Sequence, residues 1–438
     1  MGAKARNRGY TTRCGTGALS IQGLPRRRTA PGQGPPTAGR SPGARPARTS
    51  GHVFPVVRNH CRIHIMRDPR YEKLAGILVD YSVGVKKDQL VRISGPSVAG
   101  PLIAEVYRKV IDAGGHPMVR ISLDELQEVF LKTAADHQLA YVNPVTRFET
   151  ERIDCSIGIW GDENTRALTN CDPERIRVTQ AARRPIFATF LKRAAEGALK
   201  WTGTQFPTQA SAQDAEMSLE EYEDFVLAAG LIDKPDPVAE WQSISVRQQR
   251  LVDFLNGKNE LRVVAGNGTD IRMSVAGNRW INCDGHENFP DGEVFTGPVV
   301  DSAAGQIQFS FPAVHHGREV LGVTLIFRDG KVVDARASKG EDYLIKMLET
   351  DAGARYLGEC AFGTNYGIRR FTRNTLFDEK IGGTMHFAVG AGYPETGNKN
   401  ESALHWDMVL DLRRGGYAEV DGVKVNVDGR FTGEGFPS

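Results

Sequence analysis

Hydrophobic positions fall into two rhythms along the chain. From Tyr71 to about residue 235, apolar residues spaced three and four apart alternate with short, unbroken apolar runs. Leu74, Ile77, Leu78 and Tyr81 form a helical stripe over Tyr71–Tyr81. Leu102, Ile103, Val106, Val110 and Ile111 form another over Ala99–Ala113, closed by Gly114-Gly115. Gln89–Ser94, Pro117–Ile121 and Ile153–Trp160 read as buried strands. A helix over Leu123–Ala140, with Asp124 and Glu125 in its first turn, and a long one over Pro173–Trp201 complete the alternation. Strands that alternate with helices predict a parallel sheet with crossover connections.

Asp236–Asn256 carries Ile244, Leu251, Val252 and Leu255 at helical spacing and predicts a long linking helix. Beyond it the rhythm shortens to period two. Asp329-Gly330 and Asp421-Gly422 each sit between apolar alternations, a strong hairpin signal. The expected architecture is an α/β N-terminal domain, a parallel sheet with flanking helices, over 66–256 including the linking helix. A mixed α+β C-terminal domain rich in antiparallel sheet follows over 257–438.

Composition changes this picture at one end only. Hydrophobic content of 40% and charged content of 25% are ordinary for a soluble globular chain. No stretch approaches the roughly 20 apolar residues of a membrane helix. The six cysteines are scattered without a CxxC pair, which predicts reduced thiols and a cytoplasmic setting. Residues 1–65, however, hold twelve Lys or Arg and no acid. The remainder holds 43 basic and 53 acidic groups, a net charge of −10 beneath the overall +2. An acidic body disfavours nucleic acid as a partner, because that affinity comes from Lys and Arg on phosphates. The tail is rich in Arg, Pro and Gly and is expected to be disordered. A transit peptide, a nucleic-acid arm and an extension upstream of a true start at Met66 compete to explain it; the last fits best, because the first helical pattern begins directly after Met66. The segment Gly95-Pro96-Ser97-Val98-Ala99-Gly100 lacks the G-x-G-x-x-G spacing of a dinucleotide site.

The chemistry concentrates in the second half. In Leu404–Leu412, period two sends Leu404, Trp406, Met408, Leu410 and Leu412 to one face and His405 and Asp407 to the other. Imidazole nitrogen and carboxylate oxygen two residues apart on a strand can converge on one cation. A surface or hydrogen-bonded pair is the plainer reading of that segment alone. Glu293 follows a turn at Pro290-Asp291-Gly292, and Glu359 is a lone acid in an apolar run that demands a partner or a metal. His386 follows Gly382-Gly383, which allow a close approach of backbone to a ligand, and Phe377-Asp378-Glu379-Lys380 lies just upstream. Two Glu, two His and an Asp in one β-rich domain suggest a two-metal hydrolase site. His315 and His316 read as a surface turn.

These segments resemble the metallo-aminopeptidases typified by aminopeptidase T and aminopeptidase S. The shared marks are Pro290–Thr296, Leu357-Gly358-Glu359, Asn374–Glu379, His386 with Tyr393-Pro394 seven residues on, and His405-Trp406-Asp407. The resemblance runs from Met66 nearly to the C-terminus. It implies two divalent ions per chain, commonly Zn²⁺ or Co²⁺, with Mn²⁺ or Mg²⁺ as alternatives. It implies Glu293, Glu359, His386, His405 and Asp407 as ligands, with Glu359 bridging. Tyr393 matches the family's active-site tyrosine, and Glu379 matches a carboxylate near the site. The implied partners are peptides with a free N-terminus and a second copy of the chain, with no membrane.

On this reading the ions lower the pKa of a water and polarise the scissile carbonyl, Tyr393 donates to the developing oxyanion, and Glu379 is the candidate general base. Two rivals stand beside it: another binuclear amide or ester hydrolase with the same ligands, and a non-catalytic binding protein whose metal site has decayed.

Overall fold

The computed structural model describes residues 68–315 and 317–438, all within the unit His64–Ser438. The expectations for the 1–65 tail and for His316 lie outside the described residues.

The first half builds four strands of the expected parallel sheet, and Asn288–Phe289, from beyond the linking helix, adds a fifth. Its strands run in the order His116–Ser122, Leu90–Pro96, Cys155–Trp160, Lys200–Gln205 and Asn288–Phe289. Val91 and Ile93 lie beside Cys155 and Ile157, and Ile157 lies beside Thr202. The core of this part joins Leu74, Val91, Ile93, Leu102, Val106, Ile157, Trp241 and Phe289. Each such side chain contributes about 1.5–3 kcal/mol by leaving water.

Three elements differ from the reading of the sequence. The first helix spans Pro69–Gly76, capped by Asp68, and continues as wider π-helical turns through Ser82. The helix expected over Leu123–Ala140 breaks where Ala134 and Ala135 are extended, giving Asp124–Thr133 and Asp136–Leu139. The helix expected over Pro173–Trp201 stops at Ala195, because Gly197 turns left-handed at φ 69°. Trp201 then falls in a strand that the sequence reading did not separate.

The linking helix forms over Pro237–Leu255. After it come two large antiparallel sheets and a two-stranded one, Ala313–His315 with Arg318–Val320. The first has eight strands, ordered Lys331–Arg336, Thr324–Arg328, Ala304–Gln308, Asp270–Ser274, Glu260–Val264, Tyr417–Val420, Val423–Val427 and Arg430–Phe431. Both expected hairpins are present, with Asp329 and Gly330 at φ 48° and 76° and Asp421 and Gly422 at 46° and 82°. Two consecutive positive φ values match the right-handed twist of the strands they join. A third Asp-Gly pair, Asp428-Gly429, closes another hairpin.

The second sheet has five strands, ordered His405–Asp411, Thr384–Gly390, Leu357–Gly363, Glu293–Thr296 and Ile281–Cys283. One face packs on the eight-stranded sheet: Val294, Phe362, Met385, Phe387, Trp406 and Met408 meet Leu261, Ile271, Ile307 and Leu325 in one apolar cluster. No helix among the described residues is long and apolar enough to cross a membrane.

Candidate metal centre

The other face of the five-stranded sheet carries the charge. Strand register sets the rows across it. Glu359, Ala388 and Asp407 stand side by side, as do Phe295, Ala361, His386 and Val409, while Glu293 faces Gly363 and Gly390 faces His405. The small residues Ala361, Gly363, Ala388 and Gly390 lie between the ionisable ones, so the long side chains converge above the sheet without obstruction. Period two places His405 and Asp407 on this face and the 1%-exposed Trp406 on the other.

The expected residues come together. His386 Nε2 lies 3.4 Å from Glu359 Oε1 and 3.7 Å from Glu293 Oε2. His405 Nε2 lies 3.4 Å from both Glu359 Oε2 and Asp407 Oδ2. Glu293, Glu379 and His386 each bring a ligand-type atom within 4.8 Å of the others, and so do Glu359, His386 and Asp407. Glu379 caps the short helix Thr375–Asp378, and the loop to His386 folds back so that the Glu379 carbonyl meets His386 Nδ1 at 3.1 Å. Tyr393 stands at the rim, 40% exposed, with its ring 5.2 Å from His405 and 5.4 Å from Phe295.

Backbone supports fix the donors. Gln248 of the linking helix is fully buried; its amide donates to the carbonyls of Cys283 at 2.9 Å and Glu293 at 3.0 Å and to Asn282 Oδ1 at 2.7 Å. Gly292 sits at φ 119°, and a Cβ there would come within 2.7 Å of Asn365 Cβ. Asn365 in turn donates to the Asp291 carbonyl at 2.9 Å. Gly382 and Gly383, read from the sequence as room for a ligand, serve packing instead. A Cβ on Gly382 would strike the Tyr366 ring, and one on Gly383 would strike Gly429 O. His315 is also not in a surface turn: it ends the strand Ala313–His315, half-buried, 2.9 Å from Tyr343 Oη, with its ring tilted against Trp406 at a centroid distance of 5.1 Å.

Lys380, Asp291 and Cys283 border the centre without having been singled out as site residues. Lys380 is 1% exposed and donates to Glu293 Oε2 at 3.2 Å and Glu379 Oε2 at 3.0 Å. The available signal was three consecutive charges, Asp378-Glu379-Lys380, between apolar Phe377 and Ile381.

Electrostatics follow from burying so many acids together. Burial pushes the His386 imidazole down, but the Glu359 hydrogen bond and the field of Glu293 carry it up to about 10. Burial likewise opposes protonated His405, and Asp407 with Glu359 carries it to about 12. Burial raises Glu359, yet hydrogen bonds from His386 and His405 hold it below its ordinary value. Burial drives the Glu379 carboxyl well above its ordinary value, opposed by Lys380 and reinforced by Asp407. Burial of its phenol end, then the carboxylates of Glu359 and Asp407, raises Tyr393. The field across this face therefore favours cations strongly.

The residues fit divalent metal ions. Carboxylate oxygens and imidazole nitrogens are suitable donors. Both histidines tie Nδ1 to a backbone carbonyl, His386 to Glu379 and His405 to Ala391 at 2.8 Å, which leaves each Nε2 directed at the carboxylates. Asp407 Oδ1 is buried without a hydrogen-bond partner.

An α/β part is joined to an antiparallel part with a His- and carboxylate-lined centre, whose donors suit metal-dependent hydrolysis. The chain belongs to the thermophilic metalloprotease (M29) family, whose sequence profile matches residues 67–431. It is 26% identical to aminopeptidase 2 of Geobacillus stearothermophilus, over 82% of this chain and 94% of that one. It is 31% identical to aminopeptidase T of Thermus aquaticus, over 59% of this chain and 70% of that one. Its fold superposes on wild-type AmpT from Thermus thermophilus with a TM-score of 0.74 and 25% identity, covering 83% of this chain and 99% of that one. The resemblance to metallo-aminopeptidases drawn from the motifs is borne out, and with it the expected fold class and the assignment to that class of hydrolase.

Proposed function

We propose that the protein is a two-metal aminopeptidase that removes the first residue from peptides with a free α-amine. The observation that carries this reading is the pair of ligand groupings that share His386, with Glu293 and Glu379 on one side and Glu359 and Asp407 on the other. Glu293, Glu359, His386, His405 and Asp407 would hold the ions, Zn²⁺ or Co²⁺ by donor type. When bound, the ions supply Lewis acidity that acidifies water and polarises a carbonyl.

The chain's own groups do the rest. Glu359 presents one oxygen to His386 and the other to His405, and would suit a carboxylate shared between the ions. Glu379 and Lys380 line a cavity of about 510 Å³ together with Trp160, Gln205, Arg373 and Asn374, a volume suited to a short peptide segment. Residues 66–256 would supply one wall of it through Trp160 and Gln205, and 257–438 the chemistry. Acids lining the cavity, Glu379, Asp162 and Asp214 among them, would suit a protonated α-amine and disfavour a blocked one. Glu379, beside Glu293 and His386 but outside the five ligands, would take the proton from water. Tyr393, at the rim beside His405, would donate to the oxyanion, a contact type whose removal costs about 10²–10³ in kcat.

The test pairs a panel of aminoacyl reporters with their N-acetylated counterparts on metal-reconstituted protein. The free-amine reporters should be cleaved, a chelator should abolish cleavage, and Zn²⁺ or Co²⁺ should restore it. Equal cleavage of the acetylated reporters would instead indicate a general amide or ester hydrolase.

A further inference from the structure

The side chain of Lys380 ends inside the acidic end of the site. Its ammonium donates to Glu293 Oε2 and Glu379 Oε2 at 3.2 and 3.0 Å and stands 4.0 Å from Asp291 Oδ1. The backbone on either side is pinned, with Lys380 N–H on Phe377 O at 3.1 Å and Asn365 N–H on Lys380 O at 3.0 Å, so the reach of the ammonium is set. Nothing in the proposed hydrolysis uses it.

Beside it lies a third grouping of ligand types. Cys283, Asp291 and Glu293 bring donor atoms within 4.8 Å of one another. This grouping shares Glu293 with the Glu293–Glu379–His386 grouping, which in turn shares His386 with Glu359–His386–Asp407. Thiolate sulfur with two carboxylate oxygens is a competent donor set for Zn²⁺ or Co²⁺. By ligand type alone, then, the row has places for three ions.

Position decides which corner stays without a metal. The ammonium already donates to Glu293 Oε2 and stands 4.0 Å from Asp291 Oδ1, two of the three donors of the Cys283–Asp291–Glu293 corner. A divalent ion placed there would face the ammonium across a buried pocket, which is costly.

We propose that Lys380 is the fixed third cation of this row: it neutralises Asp291, holds Glu293 and Glu379 in place, and excludes a metal ion from the Cys283–Asp291–Glu293 corner. The inference rests on the two-metal reading above. Lys380 acts through Glu293 and Glu379 and is a positioning residue.

The experiment loads full-length protein with Co²⁺ and measures ions per chain and the near-ultraviolet thiolate-to-cobalt absorption. Wild type should hold two ions and show no thiolate band. Lys380→Met should take up a third ion and gain the band, and adding Cys283→Ser should remove the band. Lys380→Arg, which keeps the charge, should stay at two. A lysine with a merely structural role predicts the opposite sign: Lys380→Met would lose ions and show no band, and that result overturns the proposal. If Lys380→Met does not fold, the variant Asp291→Asn/Lys380→Met removes one charge of each sign and should fold with two ions; loss of ions there also overturns the proposal. Wild type with three ions, or with a thiolate band, refutes it directly. Wild type that binds no divalent ion refutes instead the two-metal reading on which it rests.

Discussion

The two faces of the five-stranded sheet are made by the same strands yet obey opposite chemistry. On one, Val294, Phe362, Met385, Phe387, Trp406 and Met408 interdigitate with the eight-stranded sheet. On the other, one residue along each strand, Glu293, Glu359, His386, His405 and Asp407 are held where water is largely excluded. The first face gains free energy by losing water, and the second spends it. Register is what keeps them apart, since a slip of one residue would exchange the faces. A buried ionic face is tolerable here because a large apolar core lies directly beneath it.

Substitutions on the two faces should therefore fail in different ways. The largest effect is expected on the charged face. Glu359→Ala should lower kcat/KM by roughly 10³-fold, the scale of losing a preorganised electrostatic element, and reduce the metal content by elemental analysis. Its circular dichroism should remain that of the wild type. Next is the apolar face: Trp406→Ala should cost about 3–5 kcal/mol of unfolding free energy in a denaturant titration, with metal content preserved in the folded fraction. Metal loss without unfolding in that variant would break the comparison. Smaller still, Gln248→Leu strands the Cys283 and Glu293 carbonyls and should cost about 1–3 kcal/mol. It should also weaken metal affinity about 10–100-fold, as supports behind a ligand do. That would show that the two faces communicate through the backbone.

The smallest effect lies at the seam with the parallel sheet. His286 Nδ1 sits 2.6 Å from Asp284 Oδ1, and that contact raises the imidazole above its ordinary value while burial opposes it. A raised folded-state value stabilises below the unfolded value near 6.5 and is lost as pH rises through the folded one. Wild type should thus exceed His286→Gln in melting temperature at pH 5–6, with the gap closing in alkali. The group is half exposed, so the difference should stay below about 1 kcal/mol.

The charged face was legible because period two survives in Leu404–Leu412 and because Glu359 interrupts an apolar run. Asp-Gly pairs marked hairpins for the same local reason. Lys200–Gln205 was not legible: Lys-Trp-Thr-Gly-Thr-Gln alternates poorly, and its buried residues are two threonines, a glycine and a glutamine. Lys380 was not legible as a site residue because a lysine beside two acids looks like solvated surface. Only the folded chain shows that Phe377 and Ile381 drag it inside. His315 misled for the reverse reason, since its ring is covered by Trp406 and Tyr343, residues far along the chain.

One short strand bears on how such a protein could be taken apart. Asn288–Phe289 belongs to the parallel sheet, beside Gly203 and Thr204, although it lies beyond the linking helix and only four residues before Glu293. Phe289 is fully buried against Trp241. A gene fragment beginning at residue 257 would carry this strand away from its neighbours, baring an aromatic side chain and leaving Lys200–Gln205 as an open sheet edge, a template for aggregation. Recombination at the linking helix is thereby penalised, and the halves are expected to be inherited together: a cut at that joint should yield insoluble pieces, and co-expression of the two should restore solubility.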